Sequence, residues 1–199
     1  MKQTAAVFIL AAMVLFTACT STQRLSSVST NEAKGIISGW DAKTQEVAST
    51  MMSKYGAPNE VTGTMLVWHN NGPWKKTIIH KEPVQHLFPM PHVDLLEQFV
   101  NYSVPADKFD ELARYDGSVV VARTVGEISA RCDKEEANFL ALNLAHDIAT
   151  SKRSVEDARS YYARAIKEMM QGKMDPYLQK LHFNSGGNTK FADQPVPGM

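Results

Sequence analysis

Residues 118–149 read SVVVARTVGEISARCDKEEANFLALNLAHDIA, and this stretch decides the fold class. Val119, Val120 and Val121 make residues 118–124 a β-branched run, Val125 and Gly126 interrupt it, and residues 127–132 return to an extended pattern. Two such runs around a two-residue break predict a hairpin, because branched side chains favour the pleated backbone and glycine supplies the turn. Alternation along the returning strand puts Ile128, Ala130 and Cys132 on one face and Ser129 and Arg131 on the other, so Cys132 is expected to face the core. The period then changes. Ala137, Leu140, Ala141, Leu144 and Ile148 recur at helical spacing, and Phe139 and Leu142 widen the apolar face. Asp133, with Glu136 three residues on, is the expected N-cap. A helix apolar over so much of its circumference belongs at the centre of a domain rather than on its surface.

Outward from this stretch, Pro105 opens a further predicted helix, with Phe109 and Leu112 inward and Gly117 ending it. Residues 93–104 fit either period. The expectation is a short helix over 93–98 followed by a strand, since the residue before Pro105 avoids the α region. Residues 62–69 and 74–81 flank Asn70, Asn71, Gly72 and Pro73, which predicts another hairpin. Its alternation groups Met65, Val67, His69, Trp74 and Ile78 against Leu66, Trp68 and Ile79. Trp40, Val47, Ala48, Met51, Met52 and Tyr55 predict a helix capped by Ser38 and stopped at Gly56. Ser154 opens the last long helix, which carries Val155, Ala158, Tyr162, Ala165, Ile166 and Met169 inward and ends at Gly172. The order of elements gives an α+β fold: an antiparallel sheet built from two hairpins, packed against several helices, in a single domain over residues 39–183. Residues 184–199, rich in Gly, Asn, Gln and Pro, are expected to be a loose tail.

The amino terminus carries an address. Lys2 is followed by the apolar residues 5–16, then by Thr17, Ala18 and Cys19. This arrangement resembles the lipobox signal of bacterial lipoproteins, with Phe16 standing where Leu, Val or Ile is usual. The resemblance implies a signal peptide over residues 1–18, lipid attachment at Cys19 and a polar tether over residues 19–38. An ordinary cleaved secretory signal is the alternative. It further implies a membrane-anchored protein facing the periplasm or cell exterior, and the outer membrane in a Gram-negative host, because Thr20 rather than Asp follows the cysteine. The partner so implied is the membrane, reached through the lipid, and the expected role is a binding or structural component of the cell envelope.

The remaining chemistry is sparse. With 21 basic and 21 acidic side chains there is no net field to attract nucleic acid, and no such partner is expected. Of the two cysteines Cys19 is taken by the signal, so Cys132 has no partner for an internal disulfide. No cofactor is expected. Trp68 and Trp74 are the candidates for an exposed aromatic surface that meets an envelope protein partner. His80, His86 and His92 recur every six residues among Pro83, Pro89 and Pro91, an alternative reading as metal ligands. That spacing differs from the two-to-five-residue ligand pairs usual for zinc, so surface or hydrogen-bonded histidines are the expectation and no metal site is assigned. A last alternative is a cysteine-dependent enzyme with Cys132 as nucleophile and His146 as base, set against Cys132 as a buried small hydrophobe.

Overall fold

The computed structural model describes residues 28–198. Six antiparallel strands form one sheet: β1 (Glu60–Val61), β2 (Met65–Asn71), β3 (Trp74–His86), β4 (His92–Asn101), β5 (Val119–Ala122) and β6 (Glu127–Cys132), in the order β1-β2-β3-β4-β6-β5. Five helices pack with it: α1 (Thr30–Ile37), α2 (Ala42–Tyr55), α3 (Phe109–Tyr115), α4 (Glu135–Ala149) and α5 (Val155–Met170). The fold is a single α+β domain, and both expected hairpins, β2–β3 and β5–β6, are present.

The register sorts the sheet into two faces. Leu66 pairs with Ile79, Trp68 with Thr77, Leu96 with Cys132, Gln98 with Ala130 and Val100 with Ile128. These side chains are all buried; Leu66, Trp68, Ile79 and Leu96 pack in one cluster with α1 and α2, and Val100, Ile128 and Ala130 in another with α3, α4 and α5. The opposite face is mixed and carries Lys76, Ile78, Glu97, Phe99, Ser129 and Arg131. Trp74 departs from the alternation. The left-handed backbone of Asn70 (φ +52°) interrupts the pleat beside the turn, and Trp74 reaches the helix side, where its ring stacks on Phe139 at 4.7 Å.

Residues 93–98 are not helical; β4 is one continuous strand joining the two hairpins. A strand flanked on both sides and buried on both faces need not alternate, and its apolar residues then imitate a helix stripe. β3 also runs five residues beyond the expected 81, to His86, past Pro83. The pairing shifts register between Ile79 and Val84, and this bulge accepts a proline that has no N–H for the ladder.

The boundaries need three corrections. Part of the expected tether is helix α1, whose Ala33 and Ile37 lie in the core, so the domain begins near Ser29 rather than at residue 39. Ser29 accepts from Glu32 N while Glu32 reaches back to Ser29 N, closing a capping box. Helix α2 is capped by Asp41, and Ser38 instead follows α1. Helix α4 starts at Glu135 with no side-chain cap, because Asp133 lies 3.4 Å from Lys43 rather than over the helix end.

Helix α4 is the central element that its composition predicts. Asn143 donates to the carbonyls of Tyr177 (3.0 Å) and Lys180 (2.8 Å) and accepts from His182 N, which ties the chain after α5 back onto the core. The tail has no helix or strand over residues 184–198, yet it is not loose throughout. Thr189 Oγ1 donates to the Gly126 carbonyl (2.6 Å), Arg123 pairs with Asp193, and a Cβ at Gly126 would collide with the Thr189 carbonyl.

Candidate metal centre

Hairpin β3–β4 brings the histidines together. The strands pair Val84 with Asp94, Gln85 with Val93 and His86 with His92, so residues 87–91 form the connecting loop. His86 and His92 therefore stand directly opposite each other, and Asp94, two residues along β4, projects on the same side. Their rings lie 4.9 Å apart. One nitrogen of each histidine and a carboxylate oxygen of Asp94 all lie within 4.8 Å of one another.

The contacts within the cluster are close but poorly satisfied. His86 Nδ1 is 3.2 Å from Asp94 Oδ2, and His92 Nε2 is 3.2 Å from Asp94 Oδ1. Neither approach aligns as a hydrogen bond, and His86 Nδ1 and Asp94 Oδ1 are both buried without a partner. Of the outward nitrogens, His92 Nδ1 donates to the Met90 carbonyl (2.9 Å), while His86 Nε2 faces Asp116 Oδ1 at 3.8 Å, beyond hydrogen-bond distance. Asp116 is itself fixed by Ser118, whose backbone N (2.9 Å) and hydroxyl (2.7 Å) both donate to it. With only protons present, Asp94 and then the Cys132 thiol hold the charged form of His92, pushing its pKa up to about 11.

Beside this cluster opens a cleft of about 220 Å³, lined by His92, Cys132, Pro89, Met90, Tyr162 and Met170 among others. Its lining is mostly apolar, with Met90 and Met170 exposed. Cys132 is buried, as alternation predicts, and burial pushes its thiol pKa up rather than down.

The other expected site residues are placed elsewhere. His80 leaves the histidine series and pairs with Glu97 (2.9 Å), which also accepts from Arg131 (2.8 Å) and Ser129 (2.8 Å). His146 does not serve Cys132: its Nδ1 meets the Tyr102 hydroxyl at 2.6 Å and its ring stacks on Phe183. Trp68 and Trp74 do not form an exposed surface. They are 2 % and 1 % exposed, and their indole N–H groups are used internally, by the Gly56 carbonyl (3.0 Å) and by Glu135 (2.6 Å). The surface expectation failed because both rings lie on the helix side of the sheet, Trp68 in the cluster with α1 and α2 and Trp74 against Phe139 of α4. Cys19 lies outside the described residues.

Asp94 and Asp116 were missed as partners of the histidines. The available signal was a six-residue histidine interval spanning a proline-rich loop, which a β-hairpin converts into a cross-strand pair, with an acidic residue two positions after the second histidine. No family model, curated protein or solved structure matches this chain.

Proposed function

We propose that the protein is an exported, lipid-anchored component of the bacterial cell envelope whose folded domain acts by binding, with the corner formed by His86, His92 and Asp94 as its binding end. The observation that carries the anchor is the succession of Lys2, the apolar residues 5–16 and a small-residue pair before Cys19. Two or three acyl chains at that cysteine would hold a domain at a membrane, since each buried methylene contributes roughly 0.8 kcal/mol. No helix of the described residues is long and apolar enough to cross a membrane. The described fold also begins with its own capped helix at Thr30, a short interval after Cys19. With both tryptophans buried, the apolar surface open to an envelope protein partner in this reading is that of Met90 and Met170 on the cleft.

Metabolic labelling with an alkyne fatty acid tests the anchor. Wild-type protein takes up the label and partitions with membranes, whereas Cys19→Ala does neither. An unlabelled wild-type protein in the soluble fraction overturns the anchored reading.

A further inference from the structure

We propose that His86, His92 and Asp94 bind one divalent transition-metal ion, with Zn²⁺ the closest chemical match. The proposal deepens the reading above by naming the ligand of the corner, and rests on it only for the choice of that corner. Anchorage is read by acyl labelling and ion binding by titration, so the two fail separately.

The donor set comes first. Two imidazoles and one carboxylate are the protein ligands of an open three-coordinate site, one that leaves a further position to water or substrate. Bonds of about 2.0–2.1 Å in tetrahedral geometry place ligand atoms about 3.3 Å apart. Each histidine nitrogen lies 3.2 Å from a different oxygen of Asp94, and one ligand atom from each of the three residues lies within 4.8 Å of the others, so small side-chain rotations close the site.

Unmet polarity is the second, independent observation. Asp94 is 6 % exposed, and neither its Oδ1, which faces His92 Nε2, nor His86 Nδ1, which faces the other carboxylate oxygen, has an aligned hydrogen-bond partner. An unpaired buried polar atom costs roughly 1–3 kcal/mol, so two such atoms on one carboxylate–imidazole cluster favour a further participant that both can reach.

The outer contacts fix which nitrogens point inward. His92 gives its Nδ1 hydrogen to Met90 O and turns Nε2 toward Asp94, so an ion bound there takes the place of the Nε2 proton; His86 turns Nε2 toward Asp116, which leaves Nδ1 inward. Metal-ligating histidines are commonly oriented in this way, by a backbone carbonyl or a carboxylate on the second nitrogen. Both histidines sit on paired strands, and Asp116 is held by two donors from Ser118, so the arrangement is rigid before any ion arrives. Cys132, beside His92 on the cleft wall, is outside the three-residue set.

The test is a titration of full-length, tag-free protein in detergent with Zn²⁺, by calorimetry and by competition with a chromophoric chelator. The expected result is saturation at one ion per chain. His86→Ala and His92→Ala each weaken binding by more than about 100-fold, while Asp116→Asn, which faces the outer nitrogen of His86 rather than the ion, weakens it by about 10–100-fold. His80→Ala leaves affinity unchanged. Circular dichroism on each variant confirms its fold, and Asp116→Asn keeps the test decisive should a histidine variant unfold. Absence of saturable binding by the wild type, or unchanged affinity in folded His86→Ala and His92→Ala proteins, overturns the proposal.

Discussion

Removing the Glu135 carboxylate should weaken the fold more than any other single polar change at the junction of α2, α4 and the sheet. Glu135 is 3 % exposed, yet it begins α4, where the helix N-terminus favours an anion. Four donors converge on it: Trp74 Nε1 (2.6 Å), the Tyr55 hydroxyl (2.6 Å), Gln98 Nε2 (3.1 Å) and the Lys54 ammonium. In Glu135→Ala the Lys54 head, which is half exposed, returns to water at little cost. Trp74 and Gln98 are 1 % and 0 % exposed and cannot follow it. At roughly 1–3 kcal/mol for each stranded donor, with partial relaxation, the loss is about 3–5 kcal/mol. For a domain of this size that lowers Tm by about 10 °C. Glu135→Gln keeps one acceptor oxygen but turns an amide toward Lys54, and should lose about 1–2 kcal/mol. The pH dependence adds a sign. Burial pushes the Glu135 carboxyl up, but Lys54, Tyr55 and Trp74 together hold it below its ordinary 4.5. Its stabilisation is therefore complete above 4.5 and fades as pH falls through the lowered value, so wild type and Glu135→Gln should converge in acid. Urea unfolding followed by tryptophan fluorescence reads all three proteins. A Glu135→Ala midpoint within about 1 kcal/mol of wild type would show that the stranded donors find other partners, and would refute this reasoning.

Two further predictions concern the sheet. Burial raises the Glu97 carboxyl, yet His80, Arg131 and Ser129 more than offset it and hold its pKa at about 2; its contribution should vanish between pH 4.5 and 2, and Glu97→Gln should flatten that part of an acid-denaturation curve. Cys132 should resist thiol reagents in the native protein, and Cys132→Ala should cost about 1 kcal/mol while leaving zinc affinity within a few-fold of wild type. Rapid native-state modification with the fold intact would contradict its burial.

Elements with a single strong period were legible in the sequence. Helix α5 buries one well-marked face, helix α4 keeps a helical apolar spacing over 15 residues although nearly all of it is buried, and hairpin β5–β6 is marked by its β-branched run and glycine turn. Strand β4 was not, because β3 and β6 flank it and both of its faces are buried, which removes the alternation that separates a strand from a helix. Helix α1 escaped because only Ala33 and Ile37 turn inward from a polar stretch, although Ser29 and Glu32 already spelled its capping box. The candidate site was half visible. Three histidines at equal intervals were evident, but the interval has meaning only once residues 87–91 are known to be a hairpin loop. The bulge between Ile79 and Val84 then separates His80 from the pair, and no local pattern announces it.

X-ray absorption at the zinc edge of the stoichiometric complex tests the central claim most directly. The account predicts a first shell of nitrogen and oxygen at about 2.0–2.1 Å with the outer-shell scattering of two imidazoles, reduced to one imidazole in His86→Ala. A shell without imidazole scattering, or one that His86→Ala leaves unchanged, would contradict it.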